Sequence, residues 1–334
     1  MGRISMKSMK EDFKYYRVIE DIKYGRIQSA TEATLAILRA AVHFVNEAED
    51  TSRIREFLRH FFFKALEARP TNALLMNVVR EAILAVRKPL EVGSLDETRR
   101  VFNKYYNETI KSIRTMNDAI AKMAVNRIED GDRIFTYSYS TIVMKALKLA
   151  KEVGKEIKIY VSESRPGLEG LNTARELGDY GIPVTLFVDS ATRYFMKEVN
   201  KVFIGAEAIA ANGAVVSKVG TTLVALAANE ARVNVFVLAP TLKFSPETIY
   251  GELVELLEKE PESFIFVERM HKMGLKINDK FHIKVPMFDV TPPEYIDAII
   301  TEKGLIAPQA VTFMLREIYG WPFHFAPIKE LLGD

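Results

Sequence analysis

The stretch of sequence that decides the fold is RIEDGDRIFTYSYS, residues 127–140, because the spacing of apolar residues changes there. Upstream, apolar residues recur at helical spacing, as in TLAILRAAV at residues 34–42, and this period predicts α-helices. Downstream, short runs rich in β-branched and aromatic residues alternate with helical stretches. The sequence therefore predicts two domains, a helical N-terminal domain over residues 1–126 and an α/β domain over residues 127–334.

The helical part contains few residues that interrupt helices. Turns are predicted at Gly25, at RPTN (residues 69–72), at residues 88 and 89 (KP) and at residues 93 and 94 (GS). A helix is predicted to start after RPTN, and another near Leu95. These interruptions predict four or five helices before residue 127.

Six runs in the second part are predicted to be β-strands: residues 133–137, 157–161, 184–188, 201–204, 233–238 and 296–300. Helical stretches separate them, which implies right-handed crossovers and a mainly parallel sheet. Such a Rossmann-like sheet is covered by helices on both faces and binds ligands at the carboxyl ends of its strands. A functional site is therefore expected in the segments that follow the strands. Residues 245–288, rich in charge and methionine, are predicted to hold a helix followed by an exposed connection.

The composition excludes several classes of protein. The 334 residues include 46 Lys and Arg against 44 Asp and Glu, a formal net charge of +2, so no direct nucleic-acid partner is predicted. Without any cysteine, the chain cannot form disulfides, thiolate metal sites or a cysteine nucleophile. No apolar run approaches the roughly 20 residues of a membrane span, and the first ten residues do not resemble a signal peptide. The sequence predicts a cytoplasmic protein with no membrane partner.

The common catalytic motifs are missing from the sequence. It contains no GxxxxGK[ST] loop, no GxGxxG after the first strand and no HExxH, and its five histidines do not cluster. No metal and no cofactor is therefore predicted. A serine hydrolase would need Ser138 or Ser140 to meet a histidine and an acid, which the other strand ends do not offer.

Residues 205–221, GAEAIAANGAVVSKVGT, admit two interpretations. The segment follows a strand, places the Glu207 carboxylate at the strand end, and presents Ser217 and Lys218 before an Ala-rich helix predicted over residues 222–229. A lysine and a backbone turn at a helix start suit an anionic oxygen such as that of phosphate. Alternatively, Asn-Gly forms a hairpin turn and the lysine lies on the surface. The spacing alone leaves both open.

Several long motifs resemble those of one family. They are residues 205–221, FDVTPPEYID (288–297), ITEKG (300–304), RPT (69–71), GD (131–132), YGIPV (180–184) and KF (243–244). The chain resembles the family that unites the regulatory subunits of translation initiation factor 2B with isomerases of ribose 1,5-bisphosphate and methylthioribose 1-phosphate. The resemblance spans about residues 22–321 and implies a helical N-terminal domain followed by a Rossmann-like domain.

The chain departs from the resembled isomerases at positions that matter for chemistry. Their cysteine, in Thr-His-Cys, is Ser138 here, and their aspartate, in Gly-Ala-Asp, is Glu207. A serine hydroxyl lacks the accessible ionisation of a thiol and needs an adjacent base, while glutamate moves the carboxylate by one methylene. Their Arg-Gly-Ala-Gly phosphate turn is here KYGRI (residues 23–27), in which Arg26 still supplies charge. Their Asn-Lys pair is here Ser217 with Lys218.

The main hypothesis is therefore a non-catalytic protein of translation initiation. Residues 137–140, 164–170 and 211–221 look most like the delta-type regulatory subunit, and Gly-Ala-Glu occurs in the alpha type. The resemblance implies an archaeal-type binding and assembly protein with a sugar-phosphate or nucleotide effector. Its implied partners are further copies, in a homodimer or dimer-based homo-oligomer, and the alpha subunit of initiation factor 2. Residues 222–229 and 288–304 are expected to form the dimer surface or, equally, domain core.

The alternative hypothesis is an aldose–ketose isomerase of a phosphorylated ribose. The catalytic positions are then Ser138, as a polar contact, and Glu207, as acid or base. The ligand-binding residues that the resemblance implies are Arg26, Arg69, Thr71, Ser138, Ser217, Lys218 and Lys243.

Overall fold

The computed structural model describes residues 6–251, 256, 258, 272–274, 282–320 and 326–332. Most of the helix and connection predicted over residues 245–288 lies outside the described residues. Within them, the chain combines a helical N-terminal part with a mainly parallel sheet, so the predicted α/β class is confirmed.

Helices occupy almost all of the described N-terminal part. They are α1 (Met6–Lys23), α2 (Ala30–Glu47), α3 (Thr51–Ala68), α4 (Ala73–Val92) and α5 (Leu95–Val125). The side chains of Ser29, Asp50 and Asn72 each accept a backbone hydrogen bond in the first turn of the helix that follows. Such N-caps are favoured because they pair backbone N–H groups that the helix itself leaves unpaired.

The turn predicted at residues 88 and 89 is wrong, because Pro89 lies inside α4. Proline removes one backbone donor, but this one falls in the last turn of the helix, where little of the helix remains to be disrupted. The helix instead ends at Gly93, whose φ of 76° is in the left-handed region that favours glycine.

The helices enclose an aromatic core in which Tyr15, Phe44, Phe57 and Phe61 contact one another. The long helix α5 serves two cores. Its Phe102 lies among the helices, whereas its C-terminal turns pack against the sheet. The division into residues 1–126 and 127–334 stays a prediction.

Seven strands form the main sheet, in the order β11-β10-β7-β4-β1-β2-β3. Neighbours pair in parallel except β10 and β11. The strands are β1 (Arg133–Thr136), β2 (Lys158–Ser162), β3 (Val184–Phe187), β4 (Lys201–Gly205), β7 (Asn234–Leu238), β10 (Ala298–Thr301) and β11 (Gly304–Ile306). All six predicted strands are present, with ends shifted by two residues at most.

A second, four-stranded sheet has the order β8-β5-β6-β9. Its strands are β5 (Ala208–Ala210), β6 (Val215–Lys218), β8 (Phe244–Ser245) and β9 (Phe288–Thr291). Strands β5 and β6 are antiparallel and are joined through Asn212 and Gly213, so the hairpin interpretation is correct for this turn. The lysine that follows is not on the surface, however, since the Lys218 side chain is 11% exposed.

Helices and short 3-10 turns connect the strands. The helices are α6 (Thr141–Glu152), α7 (Glu169–Asp179), α8 (Thr192–Met196), α9 (Thr221–Ala231), α10 (Val311–Tyr319) and α11 (Ile328–Leu332). The 3-10 turns are Asp189–Ala191, Thr241–Lys243, Pro246–Tyr250, Pro293–Tyr295 and Pro308–Ala310. The last helix, α11, returns to the N-terminal core, where Ile328 and Leu332 are buried. None of the described helices is long and apolar enough to cross a membrane.

Candidate functional site

A polar cleft lies where the helical part meets the carboxyl ends of β1 and β4. Its lining residues are Gln28, Ser29, Ala30, Arg69, Tyr137, Ser138, Tyr139, Ser140, Thr141, Gly205, Ala206, Glu207, Ser217, Lys218, Lys243 and Phe288. The cleft therefore lies where a parallel sheet is expected to bind ligands. Its free volume is about 40 Å³, which is room for little more than one water molecule.

The centre of the cleft is an ion pair between Arg69 and Glu207. Arg69 Nε lies 2.5 Å from Glu207 Oε1, and Arg69 Nη2 lies 3.0 Å from Glu207 Oε2. The two side chains are 8% and 6% exposed. Thr71 Oγ1 donates a longer hydrogen bond of 3.4 Å to Glu207 Oε1. Both carboxylate oxygens are thus engaged by a bidentate guanidinium, the stronger form of such a pair.

Lys243 is a second cation beside this pair. Its Nζ is buried and donates a 2.5 Å hydrogen bond to the carbonyl oxygen of Ala206. Burial is the main reason that the pKa of Lys243 is lowered to about 8; Glu207 opposes the shift and the neighbouring Arg69 adds to it. Lys243 is therefore poised to gain or lose its charge near neutral pH.

Lys218 is the third cation of the cleft, and it is paired with a carboxylate that the sequence analysis did not identify. Its Nζ lies 2.7 Å from Glu169 Oε1, at the start of α7, and 4.9 Å from the centre of the Phe288 ring. The other oxygen of Glu169 is buried and has no hydrogen-bond partner among the described residues. The helix N-terminus favours a carboxylate at this position.

The loop after β1 holds Ser138 in an uncommon backbone conformation. Its φ is 62°, in the left-handed region that non-glycine residues rarely adopt. The Ser138 N–H donates to Ser164 Oγ at 2.8 Å, and its carbonyl accepts from Thr173 Oγ1 at 2.6 Å. No histidine of the described residues lines the cleft, so among them the Ser138 hydroxyl meets no imidazole base there.

Asp289, next to the cleft residue Phe288, holds the turn that follows Lys218, and the sequence analysis did not identify it either. Its Oδ2 accepts the backbone N–H groups of Gly220 at 2.8 Å and Thr222 at 3.2 Å, at the start of α9. Burial raises the pKa of this carboxyl. The Tyr137 hydroxyl donates to the carbonyl of Val219 at 2.7 Å in the same turn. A signal was present, since Asp289 and Glu169 both lie in motifs that carry the family resemblance.

The structure brings most of the predicted ligand-binding residues together. Arg69, Ser138, Glu207, Ser217, Lys218 and Lys243 all line the cleft. Thr71 touches it only through Glu207. Arg26 is elsewhere: its Nε pairs with Asp21 at 2.6 Å, and it borders a neighbouring cavity of about 400 Å³ that shares Gln28 and Tyr139 with the cleft. Among the described residues, no three His, Asp or Glu side chains converge as a metal site requires.

The sequence pattern of the initiation factor 2 subunit family matches residues 26–308. The chain belongs to this family. Within it, the ribose 1,5-bisphosphate isomerase of Methanocaldococcus jannaschii is 40% identical over 316 residues, which cover 95% of this chain and 97% of that protein. A translation initiation factor eIF-2B subunit 2-like protein of Pyrococcus furiosus is 31% identical and covers 88% of this chain and 97% of its own length. The crystal structure of translation initiation factor eIF-2B from Pyrococcus horikoshii matches with a TM-score of 0.74 at 28% identity, covering 88% of this chain and 97% of that one.

These similarities correct the main hypothesis drawn from the sequence. Five further relatives named ribose 1,5-bisphosphate isomerase are 32% to 38% identical to this chain. They contradict the prediction of a non-catalytic regulatory subunit and favour the isomerase alternative. The prediction gave too much weight to Ser138 and Glu207. The structure keeps a carboxylate at the second position, buried among cations, so the exchange of acids leaves the chemical character of the cleft in place.

Proposed function

We propose that this protein is an isomerase that converts ribose 1,5-bisphosphate into ribulose 1,5-bisphosphate. The observation that carries the proposal is that Arg69, Lys218 and Lys243 line the same cleft as the Glu207 carboxylate at the strand ends. Three cations suit an anionic substrate, and a carboxylate suits proton transfer. The isomerases at 32% to 40% identity support the same assignment.

The reaction needs proton transfer but no external reactant. The bond between C1 and the ring oxygen breaks, and its electron pair stays on that oxygen. The C2 hydroxyl loses its proton and becomes the carbonyl, while the C2 hydrogen moves to C1 with its electron pair. The former ring oxygen takes a proton. Every atom of the aldose is thus retained in the ketose.

Glu207 is the group proposed to move the proton. A carboxylate near the C2 hydroxyl can take its proton and return it to the former ring oxygen, which is general base and then general acid catalysis. Ser138 is proposed as a polar contact to the sugar, because no histidine in the part of the chain that the structure describes lies beside its hydroxyl in the cleft. Arg69, Lys218 and Lys243 are proposed to hold the phosphoryl groups.

The test is to incubate the purified protein with ribose 1,5-bisphosphate and to follow the formation of ribulose 1,5-bisphosphate. Wild-type protein is expected to turn over, and E207Q to lose about a hundredfold or more in kcat, the usual contribution of a positioned acid or base. The matched control is E97Q, a surface carboxylate that pairs only with its helix neighbour Arg100. Absence of product with wild-type protein would overturn the proposal.

We also propose that the chain associates with itself through α9. Its Leu223 and Leu226 side chains are 67% and 39% exposed, while Val224 and Ala228 on the opposite side are buried. Exposed leucines one helical turn apart suit an apolar contact across a two-fold axis. The L223E/L226E variant is expected to halve the mass measured by sedimentation equilibrium. An unchanged mass would refute this interface. The alpha subunit of initiation factor 2 stays a predicted partner only.

A further inference from the structure

The carboxylate of the cleft is paired with one of its cations. Arg69 binds both oxygens of Glu207 and Thr71 donates to one of them, so the carboxylate is held in one orientation, facing the guanidinium. A general base must come within hydrogen-bond reach of the proton that it removes. The carboxylate must leave the guanidinium to reach a sugar hydroxyl elsewhere in the cleft, so the pair must separate before the proposed reaction can begin.

Contacts other than the ion pair hold the Arg69 guanidinium in place, so it can exchange one anion for another. Its Nη2 donates to the Gln28 carbonyl at 2.9 Å as well as to Glu207, and its guanidinium lies 5.8 Å from the centre of the Phe288 ring. Its Nη1 makes no hydrogen bond among the described residues. The guanidinium can therefore keep its place while it changes its ligand. Phosphate is a suitable replacement, because arginine binds phosphate and carboxylate in the same bidentate manner.

A second cation, Lys243, can stabilise the carboxylate once it has left Arg69. Lys243 Nζ is buried beside Glu207 and already interacts with it electrostatically, although it donates its hydrogen bond to the Ala206 carbonyl. Glu207 therefore keeps this cation beside it when it leaves Arg69. A buried carboxylate that left Arg69 with no other cation near would be strongly disfavoured.

We propose that Arg69 makes catalysis conditional on a phosphoryl group: it holds Glu207 inactive until a phosphoryl oxygen of the substrate replaces the carboxylate on the guanidinium. This inference rests on the proposed isomerase function and defines its specificity. A ribose without phosphate leaves Glu207 paired and is not turned over.

The test measures binding rather than turnover, so that it is independent of the proposed activity. Sulfate is the probe, because it is a dianion that resembles phosphate and does not titrate near neutral pH. Its affinity is measured by calorimetry for wild-type protein, E207Q, R69M and R69M/E207Q. If Glu207 competes for Arg69, E207Q binds sulfate about tenfold or more tightly than wild type, and this gain disappears in the R69M background.

The double-variant cycle separates competition from simple repulsion between anions. If E207Q tightens sulfate binding equally in the wild-type and R69M backgrounds, the carboxylate acts only through its charge and the inference is overturned. It is overturned as well if E207Q does not tighten binding, or if neither wild type nor E207Q binds sulfate. If R69M does not fold, R69K replaces it: lysine keeps the charge but cannot hold two oxygens, so the gain should shrink.

The isomerase assay and the sulfate-binding measurements test the two proposals independently. A protein that isomerises ribose 1,5-bisphosphate but shows no coupling between Arg69 and Glu207 keeps the proposed function and loses this inference. If the protein shows the coupling but no turnover, the proposed function is wrong, and the Arg69–Glu207 pair is still one that an anion can separate. Thermal unfolding of each variant establishes that the measured changes come from folded protein.

Discussion

At the scale of single residues, the cleft owes its properties to charges that burial has made sensitive to their neighbours. Lys243 shows this most clearly, because burial has lowered its pKa to about 8 from the usual 10.5. The charged form of a buried amine is disfavoured, while the anions that it faces favour it. The binding strength of the cleft should therefore depend on pH in a range where ordinary lysines stay charged.

We predict that the affinity of the cleft for sulfate falls as the pH rises through about 8, since Lys243 then loses its charge. The same lowered pKa makes the free energy of unfolding rise with pH between about 8 and 10.5, because the unfolded chain binds more protons there. Calorimetry from about pH 6 to pH 10 tests the first effect. K243R is the control, because its guanidinium stays charged and should flatten the profile. If the affinity of K243R for sulfate falls equally as the pH rises, a group other than Lys243 is titrating.

A second prediction concerns Gly220, where α9 begins. Its φ is 97°, and a Cβ at this position would overlap the Tyr137 hydroxyl. Gly154 is a matched control, with a φ of 86° and no atom near the corresponding Cβ. G154A should cost about 1–2 kcal/mol, the strain of the left-handed region alone. G220A should cost about 1–3 kcal/mol more, because the overlap adds to that strain.

Urea unfolding of the two variants measures the difference. Equal losses of unfolding free energy in G154A and G220A would mean that Tyr137 moves aside freely and does not fix the turn. The expected larger loss in G220A should be accompanied by weaker sulfate binding, since the same turn carries Lys218 into the cleft.

At the scale of elements, α9 begins without a side-chain cap of its own, because its N-cap residue is Gly220. Asp289, which belongs to β9, supplies the missing acceptor from another part of the chain. This carboxylate therefore links the four-stranded sheet to the helix, beside a hydrogen bond between the Thr222 and Thr291 hydroxyls. An isolated sequence motif cannot reveal such a cap, because donor and acceptor are far apart in the chain.

We predict that D289A lowers the free energy of unfolding by about 1–3 kcal/mol, since it leaves buried backbone donors at the start of α9 unpaired. D289N should lose less, because an amide oxygen still accepts one hydrogen bond and carries no buried charge. Burial raises the pKa of Asp289. The free energy of unfolding should therefore fall as the pH rises above the ordinary pKa of aspartate, because the folded chain binds more protons there than the unfolded chain. Chemical unfolding of both variants at neutral pH tests the order. A D289A variant as stable as wild type would contradict it.

The elements that sequence reasoning predicted and those that it missed differ in length and in the range of their contacts. The strands of the main sheet are four or five residues long except β11, and most are rich in β-branched residues, so their pattern is visible locally. Strand β8 has two residues and β5 has three, too few to show any period. Glu207 was found because it follows a predicted strand, and Lys218 because it precedes a predicted helix. Glu169 and Asp289 were not found, because only the packing of distant segments brings them to Lys218 and to the start of α9.

At the scale of the whole molecule, a buried ion pair ties the helical part to the sheet part. Arg80 of α4 pairs with Glu247 after β8, and their side chains are 1% and 10% exposed. Arg80 also donates to the carbonyl of Ala326 at 2.9 Å and to Asn77 Oδ1 at 2.6 Å. Removal of one partner from such a pair leaves a buried charge uncompensated.

We predict that R80M lowers the free energy of unfolding by about 3–5 kcal/mol. R80M/E247Q should be less destabilised than the sum of the single variants, because no charge is then left unpaired. Unfolding followed by near-ultraviolet and far-ultraviolet circular dichroism measures both. The surface pair of Arg87 with Glu91 is the control, and R87M should change stability by no more than about 1 kcal/mol. Additive losses in the double variant would show that the two residues act separately.

The 31-residue helix α5 has a mechanical consequence. At about 1.5 Å per residue it extends roughly 46 Å, with one end fixed among the helices and the other against the sheet. A rod anchored at both ends resists hinge bending between the halves that it joins. Any motion that admits a sugar to the cleft must therefore leave this helix unbent.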